Sequence, residues 1–191
     1  EPPELAGMGH PRLLYVGLID GRIDAELIGR MAEADRSWQI VMVGPVEEGG
    51  FPAEEIARRH PNVHFLGRMP YSRLPEFLCH SDVYLMPWRV NELTLHINPT
   101  KTLEYLAAGR PVVSVRLPDL EAFFGDTVAL APTERPEEFT RLVREALAGR
   151  RAEAVAAGIE KARSLSWETV VGEMEDQIRK VLERKSLSPQ P

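Results

Sequence analysis

Lys101 and Glu104 lie three residues apart in the stretch NPTKTLEYLAAGRPVV, residues 98 to 113, so on a helix they share one face. An ammonium beside a helix start attracts phosphate, and a carboxylate one turn further on can accept two hydrogen bonds from a diol. Asn98 is a good N-cap and Pro99 suits the first helical position, so the helix is expected to begin there with its unsatisfied N–H groups facing a loop. Together these features point to a nucleoside diphosphate. The loop just upstream, WRVNELTLHINP, carries Asn91, Glu92, Thr94 and His96, a polar group suited to gripping sugar hydroxyls or a β-phosphate. His96 can add a positive charge beside phosphate or donate a neutral hydrogen bond. Near the amino end, the loop GLIDGRID has Arg22 as its only cation. One arginine, one lysine and a helix dipole contributing about 0.3–1 kcal/mol suffice physically for a diphosphate clamp. Each residue taken alone has a plainer role: Glu104 as a solvated helix glutamate, Lys101 as a surface lysine, Arg22 as a solubility residue, Asn98 as a simple cap and His96 as a structural histidine.

The elements that must position these residues read as alternating strands and helices. Apolar runs at 12–16, 38–43, 63–66, 82–87 and 112–115 predict strands, with a short sixth at 127–130. Helical spacing is expected over 23–34, 53–60 and 72–80, and after Asn98 until Gly109 stops the helix. Such alternation implies parallel pairing through right-handed crossovers, hence an α/β, doubly wound, Rossmann-like sheet. Ligands of such sheets bind beyond the carboxyl ends of the strands, which selects loops 17–22, 44–50, 67–71, 88–98 and 116–120. From Pro136 to Lys185 the pattern is almost wholly helical, with breaks near Gly149 and at Ser166-Trp167. Residues 1–11 read as a linker, 12–165 as the binding domain, 166–185 as a terminal helix and 186–191 as a tail.

At 191 residues, 43% hydrophobic and 27% charged, the chain can bury one proper core. Its net charge of −6, without a basic run, argues against nucleic-acid or anionic-membrane binding, both of which rely on clustered Lys and Arg. The single Cys79 excludes an internal disulfide or a cysteine zinc site and fits a reducing compartment. No apolar stretch approaches the roughly 18 residues needed to span a bilayer, and the histidines lack metal-ligand spacing.

Glu104, Ala107, Ala108, Gly109, Pro111, Val112 and Val113 resemble the second half of the signature in the carboxyl-terminal half of GT-B glycosyltransferases of family four, the retaining sugar-nucleotide group. Val16-Gly17, Val43-Gly44, Val63 to Gly67, and Ser81-Asp82 leading to Pro87 recur in the family's order, so the likeness covers nearly the whole chain. The resemblance implies a donor-binding domain without cofactor or metal, taking a UDP- or GDP-linked sugar. It implies that Glu104 binds the ribose hydroxyls and that the backbone around Asn98, Pro99, Thr100 and Lys101 holds the diphosphate. Gly17 would lie beside the nucleotide and Arg68, Met69 and Tyr71 near its base, while leaving-group stabilisation would fall to Arg22, Lys101 and His96. Implied partners are an amino-terminal GT-B domain, reached by the helix at 166–185, and a saccharide or lipid-linked acceptor. Sugar-nucleotide supply implies a cytoplasmic position, free or peripheral on the cytoplasmic face of the membrane. Asn91-Glu92-Leu93-Thr94 ahead of Asn98-Pro99-Thr100-Lys101 further resembles a subset making bacterial surface polysaccharides. The chain departs from the family at His96, where a first glutamate is usual, at Pro99 in place of a glycine, and at the usual basic pair, here reduced to Arg22.

Two other readings stand beside this one: a sugar-nucleotide 2-epimerase, which shares the two-half fold, and a degenerate Rossmann-like module used for protein contacts. No acidic pair marks a glycosidase, and Gly17-Leu18-Ile19-Asp20-Gly21 does not give the G-x-G-x-x-G spacing of a dinucleotide site.

Overall fold

The computed structural model describes residues 1–97, 99–132 and 135–186. Its strands are β1 Arg12–Val16, β2 Gln39–Val43, β3 Val63–Gly67, β4 Val83–Met86, β5 Val112–Val115 and β6 Ala129–Ala131. The helices are α1 Ala25–Ala34, α2 Ala53–Arg59, α3 Leu74–Cys79, α4 Lys101–Ala107, α5 Pro118–Phe124, α6 Pro136–Leu147, α7 Ala152–Ser164 and α8 Trp167–Ser186. The strands form one parallel sheet in the order β3-β2-β1-β4-β5-β6, the doubly wound arrangement expected from the alternation. Consecutive residues of the central strands, such as Leu13 and Leu14 or Val83 and Tyr84, are fully buried, because helices cover both faces. Burying each such side chain stabilises the fold by about 1.5–3 kcal/mol.

Helix α1 shows how local signals set the elements. The Asp24 carboxylate accepts from the Leu27 N–H at its start, and Leu27, Ile28, Met31 and Ala32 make its buried stripe. Such a cap is worth about 1 kcal/mol.

Several boundaries differ from expectation. The helix expected from Asn98 is regular only from Lys101; ahead of it the Thr102 N–H bonds to the Pro99 carbonyl at 2.9 Å, a tight turn that the proline's fixed φ favours. Asn98 itself lies outside the described residues. The span 72–80 divides into a 3₁₀ turn, Tyr71–Arg73, and α3, whose first turn contains Pro75. Residues 118–120, assigned to a ligand loop, belong instead to α5: Pro118 starts it, and Leu120 and Phe124, four apart, bury one face. Residues 1–11, read as a linker, pack on the amino edge of the sheet. Leu5 is fully buried, and the buried Arg12 guanidinium donates to the carbonyls of Leu5 (3.1 Å) and Met8 (2.6 Å). Among the described residues no helix is long and apolar enough to cross a membrane.

Candidate functional site

The carboxyl ends of β1, β2 and β3 meet three glycines with positive φ: Gly17 at 142°, Gly44 at 147° and Gly67 at 70°. At two of them neighbouring atoms come unusually close. A Cβ at Gly44 would stand 1.9 Å from the Gly17 carbonyl oxygen, and one at Gly17 would stand 2.5 Å from Lys101 Nζ. Glycine at these positions therefore leaves room for backbone in one case and for a lysine arriving from α4 in the other.

The strand order reverses between β1 and β4, and the loops that follow these two strands are tied together. Ile23 and Trp88 form an antiparallel bridge, the Asp24 N–H bonds to the Pro87 carbonyl at 2.8 Å and the Arg89 N–H to that of Arg22 at 2.7 Å. Helix α4 then directs Lys101 and Tyr105, four apart, back toward the end of β1. Tyr105 is buried against the Tyr84 ring, and its hydroxyl accepts from the Val16 N–H at 2.7 Å. Pairing between β1 and β4 is recorded only at Leu13 and Leu14, and this phenol serves the backbone just beyond. Lys101 donates to the Tyr15 hydroxyl at 3.1 Å and lies 4.3 Å from the Tyr15 ring centre and 5.5 Å from that of Trp88. Burial, with the Arg22 charge adding to it, pushes its ammonium down to about 8. Such a cation gains when an anion arrives to share its poorly hydrated site.

The remaining sequence-derived candidates divide sharply. Glu104, exposed on the face of α4 that carries Lys101, accepts at Oε1 from the Tyr71 hydroxyl at 2.8 Å. Arg22 is already paired: its Nε lies 3.1 and 2.9 Å from the two Asp20 carboxylate oxygens, and Asp20 is 7% exposed. The loop's expected lone cation is thus neutralised by a neighbour two residues away. Asn91 and Thr94, expected to grip a sugar, make hydrogen bonds within their own loop. The Asn91 carboxamide oxygen accepts from the N–H groups of Leu93 and Thr94, and the buried Thr94 hydroxyl accepts from the Asn91 N–H at 2.9 Å. These short polar side chains find backbone partners within reach, which is why such residues favour turns. Glu92 and His96 stand exposed on that loop, Thr100 is exposed, Pro99 is buried, and Arg68 is exposed after β3. Met69 is half-buried, with its sulfur 3.9 Å from Arg73 Nη1. Trp88, 5% exposed, covers the sheet end.

Tyr15, Tyr105 and Asp20 carry no sequence motif that marks them for this site. Aromatics within RLLYV and KTLEYLA read as core, and the D-x-R spacing of Asp20 and Arg22 was the one available signal for their pairing. A cleft of about 690 Å³ lined by His10, Asp82, Arg110 and Arg151 lies at the opposite, amino ends of β1, β4 and β5, away from this group.

Comparison with known proteins places residues 10–149 in a match to the family of glycosyl transferases group 1. TuaH of Bacillus subtilis (strain 168), described as a teichuronic acid biosynthesis glycosyltransferase, is 30% identical over 104 residues, covering 54% of this chain and 26% of that protein. Sucrose-phosphate synthase from Thermosynechococcus elongatus superposes with a TM-score of 0.77 at 19% identity, over 93% of this chain and 47% of that one. Anabaena HepE, solved in complex with UDP and glucose, gives a TM-score of 0.66 at 12% identity, over 90% of this chain and 48% of that one. The chain therefore spans about half the length of these two solved structures and about a quarter of TuaH. The structural likenesses show a shared fold, the Rossmann-like half of a GT-B arrangement.

Proposed function

Because the chain belongs to the group 1 glycosyl transferases, matching over residues 10–149, we propose that it is the donor-binding half of an enzyme that moves a sugar from a nucleoside-diphosphate sugar to a saccharide or lipid-linked acceptor. The observation that carries the reading is the pairing of Lys101 and Glu104 on one face of α4, with the lysine reaching the carboxyl end of β1 where the strand order reverses. Lys101 and the backbone at the start of α4 take the diphosphate, and Glu104 takes the ribose diol. Arg68 and Met69 lie toward the base, and Glu92 and His96 toward the sugar. As the glycosidic bond breaks, negative charge builds on the diphosphate, and a cation already held in place offsets it without reorganisation. The HepE complex with UDP and glucose supports a nucleoside-diphosphate-linked donor, UDP- or GDP-linked, and TuaH supports a place in cell-surface polysaccharide synthesis. A supply of such a donor favours a position in the cytoplasm or on the cytoplasmic face of the membrane.

The amino-terminal half of such an enzyme would cover α8. Trp167, Val171, Met174, Ile178 and Leu182 recur at helical spacing along it and are between 47% and 77% exposed, a stripe suited to burial against another domain.

Calorimetric titration with UDP, GDP and ADP tests the reading. One nucleotide binds saturably, and Glu104→Ala weakens it about tenfold or more, since hydrogen bonds to a charged group contribute about 1.5–3 kcal/mol. The engagement of Arg22, Asn91 and Thr94 in local contacts favours a second reading, a non-catalytic module of the same fold; absence of nucleotide binding both by this chain and by a two-domain protein that contains it selects that reading.

A further inference from the structure

Tyr71 is 74% exposed, yet its hydroxyl donates to Glu104 Oε1 at 2.8 Å. The bond joins the segment after β3 to the helix after β4, strands that β2 and β1 separate in the sheet. The backbone beneath Tyr71 is fixed. Tyr71 opens the 3₁₀ turn Tyr71–Arg73, and the Arg73 guanidinium bonds to both carboxylate oxygens of Glu4, at 2.8 and 2.9 Å, and to Glu76. The exposed ring therefore has solvent around it into which it could swing, with its hydroxyl resting on a carboxylate.

We propose that Tyr71 gates the nucleotide site: its phenol occupies on Glu104 the position of a ribose hydroxyl, and an arriving nucleotide displaces it. The proposal rests on the assignment of Glu104 to the ribose. A phenol O–H and a ribose O–H offer a carboxylate the same kind of hydrogen bond, so the two compete for one acceptor. Glu104 also raises the Tyr71 phenol above its ordinary value, the direction expected where a neutral O–H donates to a carboxylate. When only the open fraction of the protein accepts ligand, the apparent dissociation constant equals the intrinsic one divided by that fraction. A hydrogen bond of about 1 kcal/mol, at 1.4 kcal/mol per tenfold, corresponds to an affinity lowered about fivefold.

The test is calorimetric titration of the 191-residue chain, Tyr71→Phe, Glu104→Ala and the double variant with UDP, GDP and ADP. The phenylalanine keeps the ring and removes only the hydroxyl, at an exposed position where folding is little affected. The gate predicts binding about fivefold tighter in Tyr71→Phe, with the gain absent when Glu104 is alanine. Binding by Tyr71→Phe alone would support the gate in a stronger form. If the parent binds and Glu104→Ala weakens it, but Tyr71→Phe binds equally or less tightly, the gate is overturned while the donor-site reading stands. If the double variant binds as tightly as Tyr71→Phe, or if neither these proteins nor a two-domain protein containing the chain binds any nucleotide, both fall together.

Discussion

The Lys101 ammonium donates to the Tyr15 hydroxyl at 3.1 Å and lies 4.3 Å from the centre of the same ring. A helix residue and a strand residue far apart in sequence thereby hold a cation at the carboxyl end of the central strand. The aromatic faces replace part of its lost hydration, but burial still lowers its pKa to about 8, against an ordinary value of 10.5.

The pH dependence of Lys101 has a definite sign. Below pH 8 both folded and unfolded chains carry its proton; between about 8 and 10.5 the folded chain has released it first, so the unfolded chain binds more protons and this residue's effect is to raise stability with pH. Nucleoside diphosphate favours the charged form, so affinity falls above pH 8 and binding takes up a proton in that window. Titration in two buffers of different ionisation heat reads the uptake. Lys101→Met abolishes it and weakens binding about tenfold, the loss of a charge-assisted bond. Intact binding without proton uptake would move the diphosphate away from Lys101.

Gly44 and Gly67 separate backbone approach from backbone conformation. At Gly44 an added Cβ meets the Gly17 carbonyl oxygen at 1.9 Å, whereas at Gly67 it meets nothing within 4 Å and only the positive φ is strained. Gly67→Ala should cost about 1–2 kcal/mol. Gly44→Ala should cost about 4 kcal/mol or more, among the largest single-residue effects. Urea denaturation of the two variants measures the difference, and equal losses would contradict the close approach of β1 and β2 ends.

Tyr105→Phe removes the hydroxyl that accepts from the Val16 N–H at 2.7 Å and leaves that donor without its partner. The expected loss of stability is about 1–3 kcal/mol. Hydrogen exchange at the Val16 amide gives the local readout: faster exchange in the variant, against no change if the bond is absent in solution.

The four tyrosines provide an optical check on the Tyr71–Glu104 bond. Burial pushes the phenols of Tyr15, Tyr84 and Tyr105 far up, so the exposed Tyr71 ionises first in an alkaline ultraviolet titration. Glu104 raises Tyr71 through the hydrogen bond and its charge; Glu104→Gln should therefore bring that first transition to lower pH. A first transition that stays in place would show the two side chains apart in solution.

The residue order alone encodes the strand and helix succession, the doubly wound sheet and the common face of Lys101 and Glu104. These follow from local physics: β-branched apolar runs ending at glycine make covered strands, and three-residue spacing on a helix fixes a face. It did not determine the helical state of 118–124 or the packing of residues 1–11, because short segments take their structure from the core they meet. Nor did it show that Asp20 neutralises Arg22, that Asn91 and Thr94 serve their own loop, or that Tyr71 lies on Glu104. Residue types allow those contacts and many others. Only the adjacency of β1 and β4 brings Tyr15 to Lys101 and Val16 to Tyr105, separations of 86 and 89 residues that no local pattern encodes.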